Sequence, residues 1–285
     1  MKETTITAVT IVLSLCIIVT CGCATSPETK QTPVDSSERT VPEISYENTQ
    51  VQYSDVNGVT LAYREFGTNN AEPILMVMGF GETMDQWNTK FMGILSENYH
   101  IYTYDHRGMG KSTDIDAQFT VAQLSDDAAS LITSLGYDSM NIYGVSMGSS
   151  VSQKLLIDHP EKVRKAILSS ASYSSNIPET EKLHGLLEES AQNPDVSEGI
   201  RKEAVANLEW NGSYDNLSGI NNDVMLITGT ADDLTPQSVA VEIANQIDGS
   251  WLVRFKGIPH AGSSYAPVEY GTIVTTFLEM DESPV

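Results

Sequence analysis

The chain has 285 residues, enough for one large domain with a well-filled core. Its 16 basic residues against 38 acidic ones give a formal net charge of −22. Such a surface repels nucleic acid, anionic lipid and polyanionic substrates, so no nucleic-acid partner is expected and the acidity reads as solubility.

Residues 1–22 read as a targeting segment. An apolar stretch from Ile6 to Val19 ends in Cys21-Gly22-Cys23-Ala24, too short for a spanning helix and followed by small residues. It resembles a bacterial-type lipoprotein signal, with Cys23 after Gly22 as the lipidated residue and Cys21 as second choice. An uncleaved membrane anchor is the alternative. The expectation is an exported cell-surface lipoprotein, held at the membrane by its N-terminal lipid. All three cysteines, Cys16, Cys21 and Cys23, lie within the first 23 residues, which leaves the rest without disulfide, thiolate nucleophile or cysteine metal ligand. Residues 23–48, rich in Pro, Thr, Ser and Glu, read as a disordered tether, and 49–285 as the folded domain.

In that domain, Val51–Tyr53 and Val59–Tyr63 alternate around the turn Asn57-Gly58, a hairpin signal. Short apolar runs then recur at Ile74–Met78, Ile101–Tyr104, Met140–Tyr143, Ala166–Leu168, Val224–Ile227 and Trp251–Phe255. Between them lie helix-period stretches at Val121–Leu135, Val151–Asp158, Ser238–Ile247 and Ile273–Leu278, with Thr120 and Gly136 as caps of the first. Alternating strands and helices imply an α/β fold, a mostly parallel eight-stranded sheet with helices on both faces and an antiparallel hairpin at one edge. The interval of about 171–222 carries helical patterns without a strand, at the carboxyl edge where open sheets bind ligands. It reads as a short helical lid, against the plainer alternative of an extended crossover.

Gly144-Val145-Ser146-Met147-Gly148 follows one of these strands and opens a helix. A sharp strand-to-helix turn strains the serine backbone, and flanking glycines let neighbouring chain pass without a clash. Ser146 is therefore the candidate nucleophile. A serine hydroxyl needs a base. Of five histidines, His260 follows the last strand through Gly257-Ile258-Pro259 and precedes small residues, which delivers an imidazole to the carboxyl edge. His100, His106, His159 and His184 read as structural or surface residues, with His106 near the mouth. After Val224–Ile227 comes Thr228-Gly229-Thr230-Ala231-Asp232-Asp233-Leu234-Thr235-Pro236; either aspartate can orient an imidazole, and the glycine and proline spacing favours Asp232. Backbone N–H groups of Met147 and of Phe80, in Met78-Gly79-Phe80-Gly81, are the candidate oxyanion donors. No cluster has metal-ligand spacing, and no cofactor is implied.

Together with Asp105-His106-Arg107-Gly108-Met109-Gly110-Lys111-Ser112, these five ordered motifs resemble the α/β-hydrolase superfamily, in its small esterase, enol-lactonase and haloperoxidase-like branch. The resemblance spans about Val51 to Leu278 and implies the chain order Ser146, Asp232, His260. It also implies that the Asp105–Ser112 loop is structural, and that the activity is hydrolysis of a carboxylic ester or lactone through an acyl-enzyme. Met78 departs from the family's usual His before the oxyanion glycine. Relatives with an aspartate at the elbow, dehalogenases and epoxide hydrolases, are excluded by Ser146; the H-G-G-P-G loop of iminopeptidase-like members is absent. Tyr173, Leu183, Leu186, Leu187 and Trp210 suggest a partly apolar lid pocket. The competing readings are a surface-displayed binding protein on a hydrolase scaffold and a haloperoxidase-like side activity.

Overall fold

The computed structural model describes residues 41–113 and 116–280. The lipoprotein-type signal of 1–22, Cys23 and most of the expected tether lie outside them. The eight strands are β1 (Gln52–Val56), β2 (Val59–Phe66), β3 (Pro73–Val77), β4 (His100–Tyr104), β5 (Met140–Val145), β6 (Val163–Ser169), β7 (Asp223–Gly229) and β8 (Trp251–Phe255). The seven α-helices among the described residues are α1 (Thr89–Ser96), α2 (Val121–Ser134), α3 (Met147–Asp158), α4 (Glu181–Gln192), α5 (Glu198–Leu208), α6 (Gln237–Gln246) and α7 (Pro267–Glu279). The strands form one sheet in the order β1-β2-β4-β3-β5-β6-β7-β8. The leading hairpin pairs antiparallel, as does β2 with β4; every other pairing is parallel.

Side chains alternate across a strand, and here the alternation divides the core in two. Leu75, Val77, Val224 and Leu226 face one side, packed with Leu124 and Leu131 of α2, Val151 and Leu155 of α3 and Ile243 of α6. Ile74, Met76, Met225 and Ile227 face the other, packed with Phe91 and Leu95 of α1 and Val274 and Phe277 of α7. Central β3 and β5 are buried along their whole length, which is why β3 reads as an unbroken apolar run and β5 as one broken only by Asn141. Thr120 caps α2 by accepting the Gln123 N–H, and Gly136 follows the helix with φ +89°.

The packed body starts ahead of residue 49, which corrects the tether boundary. Ile44 and Tyr46 lie against the α1/α7 core, and the Tyr46 hydroxyl donates to the Trp87 carbonyl at 2.9 Å. Helix α1 is itself an element that the periodicity misses: eight residues capped by Asn88, interrupted by Gly93. Gly93 is there because a Cβ would overlap the Pro42 carbonyl of the segment crossing it. The Asp105–Ser112 loop is braced internally. The Asp105 carboxylate accepts the Met84 and Lys111 N–H groups, each at 2.7 Å, while Arg107 holds Asp127 through two 2.6 Å bonds in full burial.

Candidate active site

Ser146 sits between β5 and α3 with φ +54° and ψ −120°, a backbone conformation that a non-glycine residue adopts only under constraint. The constraint comes from its neighbours. A Cβ on Gly144 would run into the Gly148 carbonyl and the Ser152 hydroxyl, and one on Gly148 into the Val77 carbonyl. Gly148→Ala is expected to destabilise the chain by about 1–3 kcal/mol through overpacking. Gly185→Ala, in open space on α4, is expected to stabilise it by about 0.5–1 kcal/mol. Urea midpoints of the two variants check the pair.

The structure brings Ser146, His260 and Asp232 together from three loops at the carboxyl edge. The Ser146 hydroxyl lies 2.9 Å from His260 Nε2, and His260 Nδ1 lies 2.9 and 3.0 Å from the two Asp232 oxygens. The hydrogen-bond pattern assigns the proton to Nδ1, donated to the carboxylate, which leaves Nε2 to accept from the serine. Ser146 and His260 are half-buried and the Asp232 side chain is fully buried. Asp232 also accepts the N–H groups of Leu234 and Thr235. Burial would raise its carboxyl, but the hydrogen bond and charge of His260, with the two Thr235 donors, hold it below the ordinary range. Asp233 turns away and pairs with Lys182 at 2.6 Å in solvent.

Two sets of contacts fix these loops, and the sequence reading names neither. The Thr230 and Ala231 N–H groups donate to the Phe255 and Ile258 carbonyls, tying the Asp232 loop to the His260 loop. Ser170, just past β6 with φ +48°, accepts the Ala261 N–H on its hydroxyl and receives the Thr235 hydroxyl on its carbonyl. Three of the four described non-glycine residues with positive φ, Ser146, Ser170 and Ala261, thus converge here. In sequence Ser170 shows only as a serine after a buried strand, and the backbone angle that sets it apart is invisible there.

Phe80 and Met147 both line the pocket over Ser146. Met147 opens α3, so its N–H is one of those a helix leaves unpaired. Gly79 brings the β3 loop close: a Cβ there would meet the Ser146 Cβ at 3.4 Å. Between β6 and β7, the residues expected as a lid form α4 and α5. Of the five lid side chains named for the pocket, Leu183 and Leu187 line it. The others do not: Tyr173 donates to Glu242 and packs on Tyr214, Trp210 packs on the core, and Leu186 is exposed. Serines 150, 172, 174 and 175 with Asn207 and Thr235 supply the remaining wall, and the cavity is only about 10 Å³. A larger surface depression of about 630 Å³, lined by Asp126 and His159, shares no residue with it.

The other histidines are engaged elsewhere: His100 with Glu65, His159 with Asp126, His184 with the Ser175 carbonyl. His106 lies buried on Glu203 of α5 and does not line the pocket. Among the described residues, no group of three or more His, Cys, Asp or Glu side chains is arranged to hold a metal ion.

A strained serine, a tautomer-fixed imidazole and a buried carboxylate in one hydrogen-bonded line can activate a hydroxyl for attack on a carbonyl carbon. Comparison with known proteins agrees with the architecture. The model of the α/β hydrolase fold family matches residues 72–195, which contain the Ser146 turn. The chain is 27% identical over 169 residues to a bifunctional esterase/perhydrolase of Acinetobacter calcoaceticus, a match covering 59% of this chain and 56% of that protein. It spans 31–41% of the length of other curated relatives matched at 29–32% identity. A thermophilic esterase from Thermogutta terrifontis superposes with TM-score 0.71 at 20% identity, over 80% of this chain and 98% of that one. The enol-lactonase of Burkholderia xenovorans gives 0.68 at 20%, over 80% and 100%. The chain has the α/β-hydrolase fold, and residues 72–195 match the family model of that fold.

Proposed function

We propose that this protein is a serine hydrolase that cleaves a small carboxylic ester or lactone through an acyl-enzyme on Ser146. The observation that carries the reading is the continuous line from Ser146 Oγ through His260 to the buried Asp232. His260 Nε2 takes the hydroxyl proton as Oγ attacks the carbonyl carbon. The resulting oxyanion is received by the N–H groups of Phe80 and Met147, and the imidazolium by Asp232. His260 then returns the proton to the departing alkoxide. A water repeats the sequence in reverse to release the acid. The esterase and lactonase among its structural relatives are in keeping with this chemistry.

Fluorophosphonate labelling tests the reading, with the adduct mapped by mass spectrometry. Modification at Ser146 that His260→Ala suppresses is the expected result. An unlabelled, folded protein that also leaves a broad ester panel untouched would instead indicate a binding protein on a hydrolase scaffold.

The pocket over Ser146 is walled closely by Phe80, Leu183 and Leu187, which favours a short acyl group. Acetyl esters are expected to exceed octanoyl esters in kcat/KM by about 10-fold or more. Leu183→Ala, opening the wall, should narrow that gap; equal rates for the two chains in the unmodified protein would remove the size argument.

Export and lipid anchoring through Cys23 belong to the same proposal and rest on the sequence alone. Palmitate incorporation during expression in a bacterial host, lost in Cys23→Ser, is the expected result. Persistent labelling in that variant would shift the modification to Cys21.

A further inference from the structure

The two lid helices are held in unlike ways. Helix α4 buries one side chain, Leu187, and its Lys182 reaches the sheet edge only through the exposed pair with Asp233. Helix α5 is pinned from inside. Gly199 packs so closely on the Gly108 carbonyl that a Cβ would overlap it, Gln118 donates to the Lys202 carbonyl at 2.8 Å, and Glu203 has no exposed surface. A buried carboxylate is costly unless partners satisfy it. Glu203 has two of consequence. Its Oε1 lies 2.9 Å from His106 Nδ1, and its Oε2 accepts the Gly81 N–H at 2.8 Å.

Gly81 belongs to the loop proposed to supply an oxyanion donor. Residues 79–82 form a tight turn, closed by the Glu82 N–H on the Gly79 carbonyl at 3.4 Å, with Gly81 at φ +76°. That is the pattern of a type II turn, which differs from type I by rotation of its central peptide. Here the central peptide joins Phe80 to Gly81. A fixed acceptor on the Gly81 N–H holds that peptide in one orientation, and with it the backbone that carries the Phe80 N–H. His106 in turn holds the carboxylate. Among the described residues its buried Nε2 has no hydrogen-bond partner, so its polar engagement there runs through Glu203.

We infer that Glu203 is a positioning residue that couples seating of lid helix α5 to the geometry of the oxyanion loop. The inference rests on the serine-hydrolase reading for its catalytic consequence, but its structural half can be read without turnover. When α5 is seated, the Phe80–Gly81 peptide is fixed; when α5 lifts, its acceptor leaves and the loop loses its preset orientation.

The test compares Glu203→Gln, which keeps an acceptor for Gly81, with Glu203→Met, which keeps the volume and loses it. Hydrogen exchange of the peptide covering residues 79–82 and steady-state kinetics on a short-chain ester are measured on the full chain. Glu203→Met is expected to accelerate exchange about tenfold by freeing the Gly81 N–H. It should lower kcat by about 10- to 100-fold with KM little changed, as a misplaced donor would. Glu203→Gln should restore most of both. Should Glu203→Met fail to fold, Glu203→Met/His106→Phe removes both polar partners at similar volume and takes its place. Unchanged exchange, unchanged kcat, or a loss that Glu203→Gln does not rescue would each overturn the inference. If the unmodified protein hydrolyses no ester, the functional proposal falls, and the exchange comparison alone decides whether Glu203 holds the loop.

Discussion

Ser146→Ala is expected to abolish ester hydrolysis, a fall on the order of 10⁶-fold in kcat, by analogy with removal of the nucleophile from a comparable relay. The fold should survive, because Ser146 is half-buried and the oxygen deleted is bonded, among the described residues, to the imidazole. The urea midpoint of the variant should stay close to that of the unmodified chain. Turnover that persists well above the uncatalysed rate in the folded variant would remove Ser146 from the chemistry. The size of the effect follows from what the hydroxyl does: without a bond from Oγ to the acyl carbon there is no acyl-enzyme, and only the donors of Phe80 and Met147 remain to stabilise an oxyanion.

The second large effect separates two adjacent aspartates. Asp232→Asn should lower kcat by about 10⁴-fold, because an amide cannot fix the imidazole tautomer or balance its charge. Asp233→Asn should change kcat by less than about twofold, since its ion pair with Lys182 is exposed to solvent, a kind worth little. Equal losses in the two variants would contradict the assignment. There is a stability counterpart. The Asp232 carboxyl is held below its ordinary range despite burial, chiefly by His260. A depressed acid stabilises the folded state above the unfolded value of about 3.9 and ceases to do so as pH falls through the native value. Asp232→Asn should therefore flatten the acid limb of the stability profile below about pH 4, as followed by urea unfolding across that range.

Much of this was legible before any coordinates, for identifiable reasons. Interior strands such as β3 and β7 declare themselves because both faces are covered, so the apolar run is continuous. The Ser146 turn declares itself because its glycines are demanded by backbone passing within overlap distance. His260 could be chosen because it follows the last strand and sits among small residues, and Asp232 because it follows a strand between Gly229 and Pro236. What stayed hidden depends on partners distant in sequence. Helix α1 is short and carries a glycine whose reason is the chain segment at Pro42. Ile44 and Tyr46 look like stray apolar residues in a polar stretch until the α1/α7 core is seen beneath them. Glu203 resembles any other helix acid, and only its burial on His106 and Gly81 sets it apart. Of the aromatic and aliphatic lid residues, sequence could not tell the two that face Ser146 from those that face the core, because both environments select the same side chains.

The order of the strands has a practical corollary. The hydroxyl, the carboxylate and the imidazole hang from β5, β7 and β8, and the span from Ser146 to His260 is 114 residues. Nothing short of the complete right half of the sheet can bring them within reach of one another, and such long-range pairing is slow to form. A nascent chain that has emerged only through β7, or one clipped ahead of β8, carries the strained turn without its base. Reactivity of a single hydroxyl towards a phosphonate thus counts molecules whose last strand has docked, and offers a titration of correctly assembled protein in any preparation.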